Sequence, residues 1–360
     1  MLRRGKRALG AVLTAACVAA PACTAGENQD LPRDAGERGQ RSGLALLYAD
    51  GSSLRTLELA TGEDEKVTQL PSPDAYAAPA RWIASVSDEA GPGDEDFAEL
   101  PVVRLLDLAS DQVRAVGAGF SPLWSDDGAT LAWLRPVEER RCSGEICRGE
   151  AEVVSLDPRT MERRILLPAG AWGLLAWVGE WLLVSDARDL AATIAVSPEG
   201  QRATLALAPS EIWGGSPDGR WLLRVTSDGA EMLELADGAP TGHEVRVGGR
   251  SAALAEGSWS PDGSRLAVIE LPRGGPGRVV VIEKGHAGAS PVDGSRGAAG
   301  TILWLPDGDG LVFARTKRGA RGRLEAVRCS VGGETPCEPL FSWREGVTLL
   351  RLQPAEPVRP

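Results

Sequence analysis

The sequence predicts an all-β fold, a seven-bladed β-propeller closed by strands from both ends of the chain. Three observations predict it. An aromatic residue, a Ser-Pro-Asp-Gly turn and an apolar run recur along the chain. The recurrence has a fixed period near 44 residues. The two ends carry complementary fragments of one further repeat.

The clearest copy is Trp259-Ser-Pro-Asp-Gly263, followed by an apolar run that ends near Glu270. Asp-Gly between two apolar runs is a strong hairpin signal, because Gly takes φ > 0 without a Cβ clash. Related stretches begin at Trp124, Ser216 and Leu305. Their turn glycines, Gly128, Gly219, Gly263 and Gly308, are 91, 44 and 45 residues apart. The first interval is close to two repeats, and a worn copy at Trp177–Asp186 fills it. Strands and turns at such a period signal a propeller.

Each repeat reads as four strands, a to d. In the best copy, a covers about 254–259, b 264–271, c 277–284 and d 288–292. The b runs are almost continuously apolar, as expected for a sheet covered on both faces. Trp124, Trp177, Trp259 and Trp304 directly precede their turns, with Trp213 two positions early. A large aromatic there is expected to pack between blades.

The ends settle the count. Residues 44–50, 54–62 and 66–70 read as b, c and d without an a, and 347–354 as an a without followers. Six further blades start near 75, 119, 171, 210, 254 and 299. A body of 44–353 shared by seven blades gives about 44 residues each, matching the period. Six blades is the alternative if 75–116 is not a blade. Closure removes free sheet edges.

Ahead of this body, Arg3 to Arg7 and the small apolar run Ala8–Ala20 form an export signal too short to span a bilayer. Residues 1–23 are assigned to that signal, 24–43 to a polar tether, and 354–360 to a tail. The chain has a net charge of −11. Loss of Arg3, Arg4, Lys6 and Arg7 with the signal leaves −15. An acidic body of this kind has no electrostatic reason to bind nucleic acid.

In an exported chain, Cys142 with Cys147 and Cys329 with Cys337 read as two local disulfides. Their spacing does not suit zinc, and no metal or cofactor is expected. No GxSxG, HExxH, GxxxxGK[ST] or GxGxxG occurs, and the two histidines, His243 and His286, have no evident catalytic partner. The repeated Asp127, Asp218, Asp262 and Asp307 are explained by their turns.

The Ser-Pro-Asp-Gly repeats resemble the TolB-type, WD-like propeller repeats of bacterial envelope proteins, over about 310 of the 360 residues. No copy of TolB's separate N-terminal domain is seen. Ala20-Pro21-Ala22-Cys23 resembles the lipobox of bacterial lipoproteins, which implies acylation of Cys23. Leu13–Cys17 is the alternative box, and ordinary cleavage to a soluble secreted or periplasmic protein is the alternative outcome.

Function is expected on loops. The long b–c loops are 87–100 (Asp88, Glu89, Asp94, Glu95, Asp96), 135–150 (Arg140, Arg141) and 316–323 (Lys317, Arg318). All open on one face. The expectation is a monomeric, non-catalytic propeller that binds a protein or peptide in the envelope through that face and touches the membrane only by its lipid. The competing expectation is a lyase, lactonase or glycosidase with a site at the channel mouth.

Overall fold

The computed structural model describes residues 44–70, 75–77, 81–87, 100–137, 150–226, 229–236, 239–247, 252–272, 275–284, 288–317, 323–333, 337–343 and 347–354. These form seven four-stranded antiparallel sheets. The first blade is β28 (Val347–Pro354), β1 (Leu44–Asp50), β2 (Ser53–Glu58) and β3 (Asp64–Gln69). The second is β4 (Ala75–Ala77), β5 (Trp82–Ser87), β6 (Val102–Asp107) and β7 (Gln112–Ala118). The third is β8 (Phe120–Trp124), β9 (Leu131–Pro136), β10 (Ala151–Asp157) and β11 (Glu162–Gly170). The fourth is β12 (Trp172–Val178), β13 (Trp181–Asp186), β14 (Asp189–Val196) and β15 (Arg202–Leu205). The fifth is β16 (Ile212–Gly215), β17 (Trp221–Thr226), β18 (Gly229–Ala236) and β19 (Ala239–Val247). The sixth is β20 (Ala252–Trp259), β21 (Arg265–Pro272), β22 (Arg278–Glu283) and β23 (Ala289–Pro291). The seventh is β24 (Ala298–Trp304), β25 (Gly310–Thr316), β26 (Leu324–Ser330) and β27 (Glu338–Trp343). Helical structure among the described residues is one 3₁₀ turn, Pro209–Glu211. The a strands of neighbouring blades touch all the way round the ring.

The hydrophobic core is divided into seven slabs, one in each gap between blades. Strand period makes this possible, because successive side chains point to opposite faces. In β1, Leu46 and Tyr48 pack toward the seventh blade, while Leu47 and Ala49 pack toward the second. In β25, Leu311 and Phe313 join the slab with the sixth blade, while Val312 and Ala314 join the one with the first. A b strand must therefore be apolar on both sides, and its sequence is a run rather than an alternation.

The Ser-Pro-Asp-Gly turns repeat one hydrogen-bond set. In the sixth blade, Gly263 N–H donates to Ser260 O (2.8 Å) and Ser260 Oγ donates to Asp262 Oδ1 (2.6 Å). The same carboxylate accepts from Ser264 N–H (3.0 Å), and Ser260 Oγ accepts from Arg265 N–H (2.9 Å). Ser125 and Asp127 make the equivalent set in the third blade. The turn thus consumes its Ser and Asp.

The tryptophans that precede these turns staple the blades together. Trp124 Nε1 donates to Tyr76 O (2.8 Å), Trp177 to Leu123 O (3.2 Å) and Trp304 to Ser258 O (2.8 Å). Each acceptor lies on the a strand of the preceding blade. The fifth blade departs from the pattern. Its register places Gly215, not Trp213, opposite the first core leucine, Leu222. No side chain fits at Gly215, since a Cβ would lie 2.4 Å from Val178 Cγ2 and 2.6 Å from Trp177 O. The shortened turn of the fourth blade brings the chain that close: Gly179 and Gly219 touch backbone to backbone.

Closure follows the predicted scheme. β28 pairs with β1 along its length, with Leu44 opposite Pro354. Every other blade has a covalent a–b turn where these two residues meet.

Candidate functional site

In a ring of such sheets, a–b and c–d turns lie on one face, and b–c and d–a connections on the other. The b–c connections are uneven in length. They are 51–52, 187–188 and 227–228 in the first, fourth and fifth blades, but 88–101, 137–150, 273–277 and 317–323 in the others. The long ones sit on two adjacent pairs of blades, the second with the third and the sixth with the seventh.

Of the predicted site residues, Lys317 is described. Its Nζ donates to Ser342 Oγ (3.2 Å), and its N–H donates to Arg323 O (2.9 Å), closing the 317–323 loop. Asp88, Glu89, Asp94, Glu95, Asp96, Arg140, Arg141 and Arg318 lie outside the described residues, as do Cys23, Cys142, Cys147 and His286. The second predicted disulfide, Cys329–Cys337, is formed between β26 and the start of β27.

The same face presents residues that the sequence reading missed. Val137 N–H donates to Glu150 O (3.1 Å), which closes the neck of the 137–150 loop. Glu150 is ion-paired with Arg188 in the b–c turn of the fourth blade. Beside this bridge, Val137 is 51% exposed and Leu190 is 71% exposed. Leu190 stands out because the β13–β14 register slips there, from Asp186 opposite Asp189 to Ser185 opposite Thr193. The slip frees the segment from the sheet and turns an apolar side chain to solvent. A leucine after Asp-Ala-Arg-Asp was the one sequence signal.

Below this face, cross-strand ion pairs brace the b–c ends of four blades, Arg224 with Glu231 in the fifth among them. Arg135 Nε meets Glu152 Oε2 at 2.8 Å, Arg278 Nε meets Glu270 Oε2 at 2.6 Å, and Arg315 Nε meets Glu325 Oε1 at 2.8 Å. Arg315 Nη1 also donates to Gly294 O of the preceding blade (2.6 Å). These pairs hold the strand ends from which the loops leave.

The channel is lined by the a strands, and its chemistry is sparse. Apart from Tyr76, those strands carry two ionisable residues, Glu256 and Arg351. Arg351 is buried, and burial lowers its guanidinium to about 10. Ser121, at a bulge in β8, has φ 54. Among the described residues, no group of three or more His, Cys, Asp and Glu could hold a metal. General acid–base work on a glycoside needs two facing carboxylates, and the a strands supply one.

The opposite, turn-bearing face holds a buried carboxyl outside the turn's hydrogen-bond set. Asp126 occupies the proline position of the third blade's turn, Trp124-Ser-Asp-Asp-Gly128. Its Oδ2 is shut off from solvent and meets no hydrogen-bond donor among the described residues. Burial, together with the charge of Asp127, raises its carboxyl to about 7. Asp262, which accepts from Ser260 and Ser264, is held down at about 2.

No protein-family model matches the chain, and no curated protein does. Many solved structures do. A prolyl endopeptidase is 16% identical, with a TM-score of 0.59 over 87% of this chain and 50% of that one. The periplasmic gluconolactonase of Pseudomonas aeruginosa is 14% identical, with a TM-score of 0.54 over 86% of this chain and 99% of that one. TolB from Acinetobacter baumannii is 15% identical, with a TM-score of 0.47 over 88% of this chain and 64% of that one. The chain therefore spans about two thirds of TolB and half of the endopeptidase. At these identities the likeness is one of fold: the chain is built as a seven-bladed β-propeller, a scaffold it shares with proteins of differing activity.

Proposed function

We propose that this is an exported, envelope-held propeller that docks a protein or extended peptide on its b–c face, without catalysis. The carrying observation is the exposed pair Val137 and Leu190, set beside the Glu150–Arg188 bridge on adjacent blades. Exposed apolar side chains rimmed by charge are the usual anchors of a protein contact. Charged loop sequences at 87–100 and 316–323 leave from the same face. The Cys329–Cys337 bridge suits an oxidising compartment, and acylation at Cys23 would hold the chain there. The competing reading, an enzyme at the channel mouth, is disfavoured by the scarcity of ionisable residues on the a strands.

The test is cross-linking and affinity capture from intact envelopes. Wild type is compared with the Val137→Asp/Leu190→Asp pair and with a Gly-Ser replacement of 87–100. A partner captured by wild type and lost from the double variant, with thermal stability unchanged, is the expected result. Equal capture by all three proteins would overturn the reading.

A further inference from the structure

The outer rim between the second and third blades gathers cations on an otherwise acidic chain. β7 and β11 are the outermost strands of those blades, and the outer edge of each has no neighbouring strand among the described residues. Strand alternation decides where their side chains point. Arg114 stands opposite Leu105, while Arg163 and Ile165 stand opposite Leu156 and Val154. Leu105, Val154 and Leu156 all belong to the slab between these two blades. Arg114 therefore faces the gap from one side, and Arg163 and Ile165 face it from the other. Half-buried Trp82 and Met161 pack against the same slab.

Arg114 and Arg163 differ from the arginines around them. Arg81 is ion-paired with Asp107, Arg159 with Asp157 and Arg164 with Glu162. Arg163 Nη1 instead donates to Val116 O of the adjoining blade (3.0 Å), and Arg114 Nη2 donates to Gln112 Oε1 (2.8 Å). Neither meets a carboxylate among the described residues. Asp107, on the same side of β6 as Leu105, is taken up by Arg81, Ser110 and the N–H of Ala109. Two unneutralised guanidiniums thus face one gap on a chain of net charge −11. On the same side of β11, Ile165 is 54% exposed, and the free edge of that strand can accept another.

We propose that this rim is a second docking site, which takes an extended acidic peptide as an added strand along β11. The peptide backbone pairs with the outer edge of 162–167, and Pro168, which has no N–H, ends the pairing. On the side toward the second blade, a carboxylate lies against Arg163 and Arg114, and an apolar residue two positions along covers Ile165. Opposite charge selects such a strand over a basic one. A flat anionic membrane fits less well, because Asp111 and Asp127 are exposed in the turns of the same two blades. The site is separate from the b–c face, since Arg114 and Arg163 lie near the c–d ends of their strands.

The probe is a dye-labelled Glu-Thr-Val-Thr-Glu peptide with Gly-Ser flanks. It reads the same in both strand directions and puts Glu, Val and Glu on one face. Fluorescence anisotropy with the full-length protein should show saturable binding that weakens with added salt. Arg114→Glu should weaken it by about tenfold or more. The described contact of Arg114 is with Gln112 on its own strand, so this variant should fold as wild type does, which an unchanged Tm checks. Ile165→Asp should weaken binding likewise, and a Glu-Pro-Val-Pro-Glu peptide, which cannot form the ladder, should not bind. No binding by wild type, equal binding of a Lys-Thr-Val-Thr-Lys peptide, or undiminished binding by Arg114→Glu would overturn the proposal. So would displacement of the probe by vesicles of anionic lipid but not by zwitterionic ones. Val137→Asp/Leu190→Asp should leave the binding unchanged; loss in that variant would place the peptide on the b–c face instead. The two sites therefore stand or fail separately.

Discussion

Replacing Asp126 by proline should stabilise the protein, and by an amount that depends on pH. Proline is the residue at this turn position in three other blades (Pro217, Pro261 and Pro306). It removes a carboxylate whose Oδ2 has no donor among the described residues. Burial beside Asp127 raises that carboxyl from 3.8 to about 7. A raised carboxyl binds its proton more tightly in the folded protein than in the unfolded chain, so folding is favoured as pH falls through 7 toward 4. Above pH 7 the ionised group opposes folding by the full difference, about 4 kcal/mol at 1.36 kcal/mol per pH unit. At pH 5 most of the folded protein is protonated, and the opposition falls to about 2 kcal/mol. Asp126→Pro should therefore gain about 2 kcal/mol more at pH 8 than at pH 5. Urea unfolding of both proteins at the two pH values measures it. An equal effect at pH 5 and pH 8 would refute the assignment of a buried, proton-holding carboxyl. Asp126→Asn, which removes the charge and keeps the shape, should share the pH dependence but gain less, because its amide stays buried.

Two further changes probe the core and the seventh blade. Gly119→Ala should cost about 2–4 kcal/mol in the same urea assay, because Gly119 has φ +149 and a Cβ would lie 2.4 Å from both Leu134 O and Trp133 Cδ1. A loss below about 1 kcal/mol would show that the crossover around Trp133 can yield. Opening the Cys329–Cys337 bridge by Cys→Ser at both positions should cost about 2.5 kcal/mol, the loop-closure value for a ring of this size. The check, made in a Cys142→Ser/Cys147→Ser background, is a lower Tm for the variant that reducing agent does not lower further.

The fold was legible because its information is local and repeated. Gly263 and Asp262 specify their turn within five residues, and four copies in period specify a ring. The b strands could be found because two-sided burial writes itself as an unbroken apolar run. What escaped was set by distance. Gly215 is a glycine because of Val178 and Trp177 in another blade, and nothing beside it in sequence says so. The indole of Trp177 reaches the carbonyl of Leu123, 54 residues away, so packing was predictable there but the hydrogen bond was not. The candidate face was read as a face of loops, yet its exposed apolar residues, Val137 and Leu190, were not read. Their exposure comes from a register slip in one hairpin and from the neck of one loop, neither of which leaves a compositional trace. The charged residues singled out in the loops lie outside the described residues, apart from Lys317.

The closing blade also sets an order of events in time. β1 is made early in synthesis, and its partner β28 is made last, about 300 residues later. Until then Leu46, Leu47, Tyr48 and Ala49, all buried in the finished ring, border an unpaired edge of the kind that recruits other chains. Joining the ends costs about 5 kcal/mol of chain entropy for a loop of this length, unless the intervening blades have already folded and brought them together. The other six blades are each a continuous segment and can form in sequence. The first blade must be completed after them, so each newly made molecule passes through a stage in which its earliest strand is held waiting for its latest.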